Sequence, residues 1–175
     1  MNTPELIVID LVTMMEDPGN GNPIAVLHDK GSNRLLPIWV GDHEAGAIAM
    51  ALKKTKTSRP MMHQLLLNTL AKMGGRLARI IIDRLKNNTY YSSLYAEKDG
   101  EAIVIDARPT DAIALALFAQ VSILVVKGIF DLGSQPNPVP GIFPQYSPEK
   151  RQMKPDDMKR LREMLERARE REAQS

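Results

Sequence analysis

The stretch IWV at positions 38–40, followed by AIAMAL at 47–52, returns 65 positions later as IVI at 103–105 followed by AIALAL at 112–117. The apolar triplets are typical of strands, and the runs of alanine with larger apolar residues are typical of helices. Two further strand patterns, joined through turns that contain asparagine, precede each triplet. The equal spacing predicts one strand-strand-strand-helix unit used twice, with a pseudo-twofold relation between the copies.

These patterns predict an α+β fold in which meander sheets pack on apolar helices. Helices are predicted from 41 to about 54, from Pro60 to 73 and from Pro109 to 119, and a last buried strand at 122–126. Pro37 lies inside a strand pattern and indicates an edge position or a bulge. Because both repeated helices lack a polar face, two sheets or another subunit must cover them. We therefore expect a homo-oligomer, with a dimer favoured.

The composition changes near residue 133 and divides the chain into three parts. Residues 1–132 form the α+β domain, and 133–154 form a linker that contains five prolines between 136 and 148. Residues 155–175 predict a charged helix with a narrow apolar stripe that begins at Met158. This C-terminal helix either packs back on its own domain or binds a partner.

Charge and composition exclude several classes of protein. Residues 1–132 hold 14 Lys and Arg against 14 Asp and Glu, so the domain is neutral and any binding of nucleic acid depends on local basic patches. The chain has no cysteine, and hence no disulfide and no thiol nucleophile. The start of the chain does not resemble a signal peptide, and no apolar run is long enough to cross a membrane. We expect a soluble cytoplasmic protein.

The first candidate site is Asp42-His43-Glu44 at the start of the first repeated helix. A helix N-terminus favours anions, but side chains two residues apart diverge on a helix and do not chelate one metal together. The favoured interpretation is that Asp42 caps the helix and that Glu44 complements its dipole.

The second candidate site is the matching junction from Asp106 to Asp111. With Pro109 at the first helical position, Asp111 is at the third, where a carboxylate can reach back to the N–H group at the cap. Asp106 ends a strand close to Arg108. That pair is either a structural salt bridge or part of a site for metal and phosphate.

Two basic patches form the third candidate. One surrounds the loop between the first two helices, with Lys56, Arg59 and nearby lysines, and His63 follows one turn into the second helix. The other lies on the next strand, at Arg76, Arg79, Arg84 and Lys86. Either patch could bind phosphates. A solvated charged edge that blocks strand addition explains them equally well.

The ordered motifs of the chain resemble the bifunctional nuclease domain family. The motifs are LPIWVG at 36–41, Glu44-Ala45 with AIA at 47–49, Arg59-Pro60 with His63, and DARPTDAIA at 106–114. The resemblance covers about residues 5–132. It implies cleavage of both DNA and RNA, and a compact α+β fold that associates into oligomers.

Cleavage of both nucleic acids would constrain the mechanism. DNA lacks the 2′-hydroxyl, so we expect a divalent metal, Mg²⁺ or Mn²⁺, to activate water. Asp106 and Asp111 are the expected metal ligands, and Glu44 is a possible third. The expected phosphate contacts come from basic side chains: Arg59, Arg108, His43 and Lys56. His63 would hold or protonate a phosphate oxygen.

The neutral domain favours an alternative, a non-catalytic oligomeric domain that binds a small anionic ligand or a partner protein. A third possibility is an enzyme for RNA alone that uses His43 and His63 as acid and base.

Overall fold

One mixed sheet of eight strands forms the framework of the protein. The computed structural model describes residues 4–17 and 19–137. The strands are β1 (Leu6–Glu16), β2 (Pro23–Asp29), β3 (Arg34–Trp39), β4 (Gly75–Lys86), β5 (Thr89–Lys98), β6 (Glu101–Ala107), β7 (Ser122–Val126) and β8 (Gln135–Pro136). Across the sheet they follow the order β6-β5-β4-β7-β1-β2-β3-β8.

Four helices complete the described part of the chain: α1 (Asp42–Leu52), α2 (Met62–Lys72), α3 (Pro109–Ala119) and α4 (Lys127–Gly133). The predicted start of α2 at Pro60 is wrong. The side-chain carbonyl of Gln64 accepts a hydrogen bond from the Met61 N–H at 3.0 Å, and this bond places the helix start after Met61. Helix α4 was not predicted.

The repeated unit is visible in the order of elements. Three antiparallel strands precede α1, and three antiparallel strands precede α3. The two meanders lie in one sheet, not in the separate sheets that were expected. Strand β7 joins them, because it pairs in parallel with β4 and antiparallel with β1.

Helices α1 and α3 pack against each other and contribute to the main core on one side of the sheet. Helix α3 is covered nearly all round, as its apolar sequence predicts, with six buried residues: Pro109, Ala112, Ile113, Ala114, Leu115 and Ala116. Helix α1 buries only Ile48 and Ala51. The homo-oligomer that would cover the rest of α1 stays a prediction.

Two local predictions concern turns and edges. Asn87 and Asn88 connect β4 to β5 with φ angles of 51° and 57°, the left-handed conformation of a two-residue hairpin turn. Pro37 faces Val26 of β2. On its other side β8 reaches only Arg34 and Leu35, so in the described part of the chain Pro37 takes the predicted edge position.

The C-terminal part of the chain is described only to residue 137. The first residues of the predicted linker belong to the fold, since Gln135 and Pro136 form β8. The rest of the linker and the predicted helix at 155–175 lie outside the described residues. Among the described helices, none has the length and apolar character needed to cross a membrane.

Candidate functional site

Arg108 connects the first turns of α1 and α3. Its Nη1 lies 2.9 Å from Oε1 of Glu44 on α1. Its Nε and Nη2 bond the two carboxylate oxygens of Asp111 on α3, at 2.7 and 3.2 Å. The forked contact with Asp111 is the bidentate geometry that suits a guanidinium. The N-termini of the two repeated helices are therefore neighbours.

His63, from the first turn of α2, reaches the same carboxylate. Its Nε2 lies 3.5 Å from Oδ1 of Asp111, and its ring stacks on Phe118 of α3 with centroids 6.3 Å apart. The side chain is 18% exposed, so these contacts enclose much of the ring. We call Glu44, His63, Arg108 and Asp111 the Arg108 cluster.

The first turns of α1 and α3 correct both capping interpretations. Gly41 is the N-cap of α1, and Asp42 is already helical, so Asp42 does not cap the helix. Asp111 bonds the guanidinium of Arg108, the N-cap residue of α3, and no side-chain bond caps that helix. A charged donor holds a carboxylate more strongly than a backbone N–H does, which explains the preference.

The charges of the cluster reinforce one another. The hydrogen bond and the negative charge of Asp111 raise the pKa of Arg108 above its usual value, and Glu44 adds to this effect. Arg108 is therefore always a cation, and its side chain is 66% exposed. Glu44 and Asp111 take three of its five N–H donors, which leaves two that can donate to a ligand.

Asp106 occupies a different site. Its carboxylate is 74% exposed and bonds Nη2 of Arg84 at 3.0 Å, across the sheet on β4. Arg84 also bonds Asp83 and lies over the ring of Tyr91. Desolvation lowers the pKa of Arg84, but the charges and bonds of the two aspartates outweigh it and leave the pKa raised. Of the two possibilities for Asp106, a salt bridge is formed, with Arg84 and not with Arg108.

The expected metal ligands do not form a donor set in this arrangement. Asp106 bonds Arg84, whereas Asp111 and Glu44 bond Arg108. Within residues 4–17 and 19–137, no three His, Asp or Glu side chains group in a way that could hold a metal ion. The carboxylates are therefore arranged for guanidinium groups.

A pocket of about 500 Å³ lies between the α1–α2 loop and the last turn of α3. We call it the loop pocket. Its lining includes Lys54, Lys56 and Arg59, together with hydroxyl and amide groups, and no Asp or Glu. None of the three cations forms an ion pair with a described residue. Lys56 and Arg59 were predicted as phosphate contacts, and the structure brings them into this one pocket.

The loop pocket adjoins the Arg108 cluster. Phe118 lines the pocket and stacks on His63, whose other contact is Asp111. Asp111 and Phe118 are seven residues apart on α3, which is two helical turns or about 10 Å. His43 was predicted to share the site. It is exposed on the first turn of α1, and among the described residues no hydrogen bond or ion pair joins its side chain to the cluster.

The sequence analysis missed several pocket residues, among them Gln64, Phe118 and Gln120. Phe118 reads as an ordinary apolar residue of a helix, and Gln120 as the residue after one. Gln120 ends α3 with a left-handed backbone, φ of 56°, where glycine is the usual residue. The lack of a glycine after the α3 pattern was the signal that the sequence offered.

Comparison with known proteins identifies the family. A sequence model of the bifunctional nuclease domain matches residues 25–137, more than half of the chain. The chain belongs to the bifunctional nuclease domain family. The match runs from β2 to the residue after β8 and includes the Arg108 cluster and the loop pocket.

Similar proteins in the family include an uncharacterised bacterial protein and plant proteins named bifunctional nucleases. An uncharacterised protein of Mycobacterium tuberculosis is 34% identical over 115 residues, which are 66% of this chain and 68% of the relative. Bifunctional nuclease 1 of Oryza sativa subsp. japonica is 30% identical over 121 residues, 67% of this chain and 37% of the relative. For bifunctional nuclease 1 of Arabidopsis thaliana the values are 29% over 110 residues, 61% and 34%. This chain spans about a third of the length of the plant proteins.

Proposed function

We propose that this protein hydrolyses phosphodiester bonds of DNA and RNA, with the Arg108 cluster as the reaction centre. The observation that carries the proposal is the contact between His63 and Asp111 beside the exposed guanidinium of Arg108. Membership of a family named after bifunctional nucleases supports the choice of reaction.

In the proposed reaction His63 acts as the general base. Water attacks phosphorus because DNA offers no 2′-hydroxyl, and the imidazole takes the proton of that water. The new oxygen–phosphorus bond forms as the bond to the leaving sugar oxygen breaks, and solvent protonates that oxygen. Asp111 orients the imidazole and stabilises its cationic form.

Arg108 stabilises the charge that develops on the phosphate oxygens. A fixed donor acts most strongly where charge grows in the transition state, and the bonds to Glu44 and Asp111 fix this guanidinium. The cluster contains two carboxylates and one guanidinium, so with His63 neutral its net charge is −1 and it does not itself attract a polyanion. Most of the binding energy for nucleic acid must come from cations outside it.

The proposal is tested by incubating the purified protein with labelled single-stranded DNA and RNA. His63→Ala should lower the cleavage rate by about 10²- to 10⁴-fold, the usual contribution of a general base. His28→Ala is the matched control, since His28 bonds Asn33 in the β2–β3 turn and touches no cluster residue. Equal rates for wild type and His63→Ala would contradict the proposed base.

The expected need for Mg²⁺ or Mn²⁺ is tested in the same assay. Loss of cleavage both in EDTA and in Asp106→Ala would favour the metal site expected at Asp106 and Asp111. Cleavage that survives both treatments favours water activation by His63. Cleavage of RNA alone, insensitive to EDTA, would favour the pair of His43 and His63.

The alternative is a non-catalytic oligomeric domain that binds a small anionic ligand or a partner protein. The bonds of Arg108 favour it, because they tie α1 to α3 and occupy both carboxylates. Under this alternative wild type cleaves neither nucleic acid, and Arg108→Ala lowers only the thermal stability.

A further inference from the structure

We infer that the loop pocket binds the phosphodiester backbone of single-stranded nucleic acid and delivers it to the Arg108 cluster. The inference deepens the proposed function and rests on it. Three observations support it: the charge of the pocket, the shape of its two helix ends, and its continuity with His63.

The charge of the pocket selects an anion. Lys54, Lys56 and Arg59 line it, no acid does, and none of the three is paired within the described residues. Gln64 adds an amide donor. Its carbonyl oxygen accepts the Met61 N–H, which leaves its NH₂ group to donate. Phosphate oxygens accept hydrogen bonds from such groups.

The residues that end α1 and α3 favour a ligand contact in the loop pocket. Lys54 and Gln120 follow these helices in the left-handed conformation, with φ of 50° and 56°, where glycine is the usual residue. Both side chains line the loop pocket. Each of these two side chains is present at a conformational cost, which favours a function in the pocket they share.

The size and neighbours of the pocket favour a single strand. A volume of about 500 Å³ is of the size that accommodates one nucleotide. Phe118 provides an aromatic ring in the lining, and bases stack on such rings without regard to sequence. The ring also contacts His63, which contacts Asp111, so the pocket and the cluster are continuous.

The test is fluorescence anisotropy of a fluorescein-labelled 12-nucleotide single-stranded DNA with the full chain. Titrations are run on ice across a salt series, and gels verify that the DNA stays intact. The triple variant Lys54→Gln, Lys56→Gln and Arg59→Gln should bind about 100-fold more weakly at 0.1 M salt. Its salt slope should be smaller by about 2, because each lost phosphate contact removes about 0.7 from the slope.

A second triple variant is the matched control for charge. Lys30→Gln, Lys72→Gln and Lys98→Gln remove three lysines that do not line the pocket and belong to neither basic patch. The control should keep nearly all the affinity. Equal weakening in both triple variants would overturn the pocket as the site, since a diffuse basic surface would then explain the binding.

Glycine substitutions separate binding from folding. Lys54→Gly and Gln120→Gly should weaken binding without lowering the melting temperature, because glycine relieves the left-handed backbone. Asp99→Gly is the control, since Asp99 has φ of 52° in the β5–β6 turn and does not line the pocket. Unchanged affinity in both pocket variants would overturn the role assigned to these two side chains.

The failures of the two proposals are distinguishable. If wild type cleaves DNA but the first triple variant keeps its affinity and salt slope, the pocket inference fails and the nuclease proposal stands. If wild type binds through the pocket but never cleaves, the nuclease proposal fails and the binding site stands. Tight binding of adenosine 5′-monophosphate with none of the oligonucleotide would overturn the strand as the ligand.

Discussion

Gly133→Ala tests how the last described helix is held against the sheet. A Cβ atom at Gly133 would lie 2.0 Å from the hydroxyl oxygen of Tyr90 on β5 and 2.9 Å from Cδ1 of Leu36 on β3. Both distances are far shorter than a carbon contact allows, so α4 or the tyrosine must move. Overpacking of this kind costs about 1–3 kcal/mol.

Tyr90→Phe measures how much of the destabilisation in Gly133→Ala comes from the clash with the tyrosine hydroxyl. This change removes the closest atom and leaves the ring carbon at 3.2 Å, a distance that a small shift relieves. Burial alone raises the pKa of Tyr90, and its hydroxyl bonds no described residue. Removing the hydroxyl should therefore change stability by less than about 1 kcal/mol. The double variant should recover about half or more of the loss caused by Gly133→Ala.

Urea denaturation followed by circular dichroism measures the four proteins of this cycle. Non-additivity of about 1 kcal/mol between the two positions is expected for groups in contact. If Gly133→Ala is as stable as wild type, or if Tyr90→Phe fails to rescue it, then Gly133 does not lie against the Tyr90 hydroxyl in the way described.

Three further predictions concern other parts of the chain. Asp17 accepts hydrogen bonds from Trp39 Nε1 and from the Gly19 N–H, and these bonds lower its pKa. They therefore stabilise the folded protein above the ordinary carboxyl pKa near 4, and this stabilisation is lost as the pH falls through the lowered pKa of Asp17. Trp39 is the only tryptophan of the chain, and its fluorescence should titrate below pH 4 in wild type but not in Asp17→Asn. Ile48→Ala should lower the free energy of unfolding by about 2–5 kcal/mol, because Ile48 is fully buried, whereas exposed His43→Ala should change it by less than about 0.5 kcal/mol. Asn88→Gly should raise the stability by a few tenths of a kcal/mol and Asn88→Val should lower it by about 1–2 kcal/mol, measured by urea titration, since φ is positive there.

The elements that the sequence predicted well are those whose signal is local. The Asn87-Asn88 turn and the start of α3 at Pro109 depend on residues that are neighbours in the chain. The central place of β7 was not predicted, because the apolar pattern of a strand does not determine which strands it pairs with. Helix α4 is short and is defined by buried Ile129 and Phe130, which only the folded core explains.

The candidate site was predicted as a set of residues but not as a set of pairs. Glu44 and Arg108 meet although 64 positions separate them, and Asp106 meets Arg84 across the sheet instead of its close neighbour Arg108. Pairing of charges depends on the register of strands and the packing of helices. Spacing along the chain could therefore indicate which acids and bases matter, but not which of them touch.

The central position of β7 affects how the protein folds during its synthesis on the ribosome. Both meanders are synthesised before the strand that joins them, and β1, which pairs early with β2, acquires its second partner β7 only after more than a hundred further residues. Until β7 emerges, the inner edges of β1 and β4 offer unpaired backbone to any other nascent chain. Such late, long-range closure makes for slow folding. Cells under heat stress should therefore lose newly made copies before mature ones.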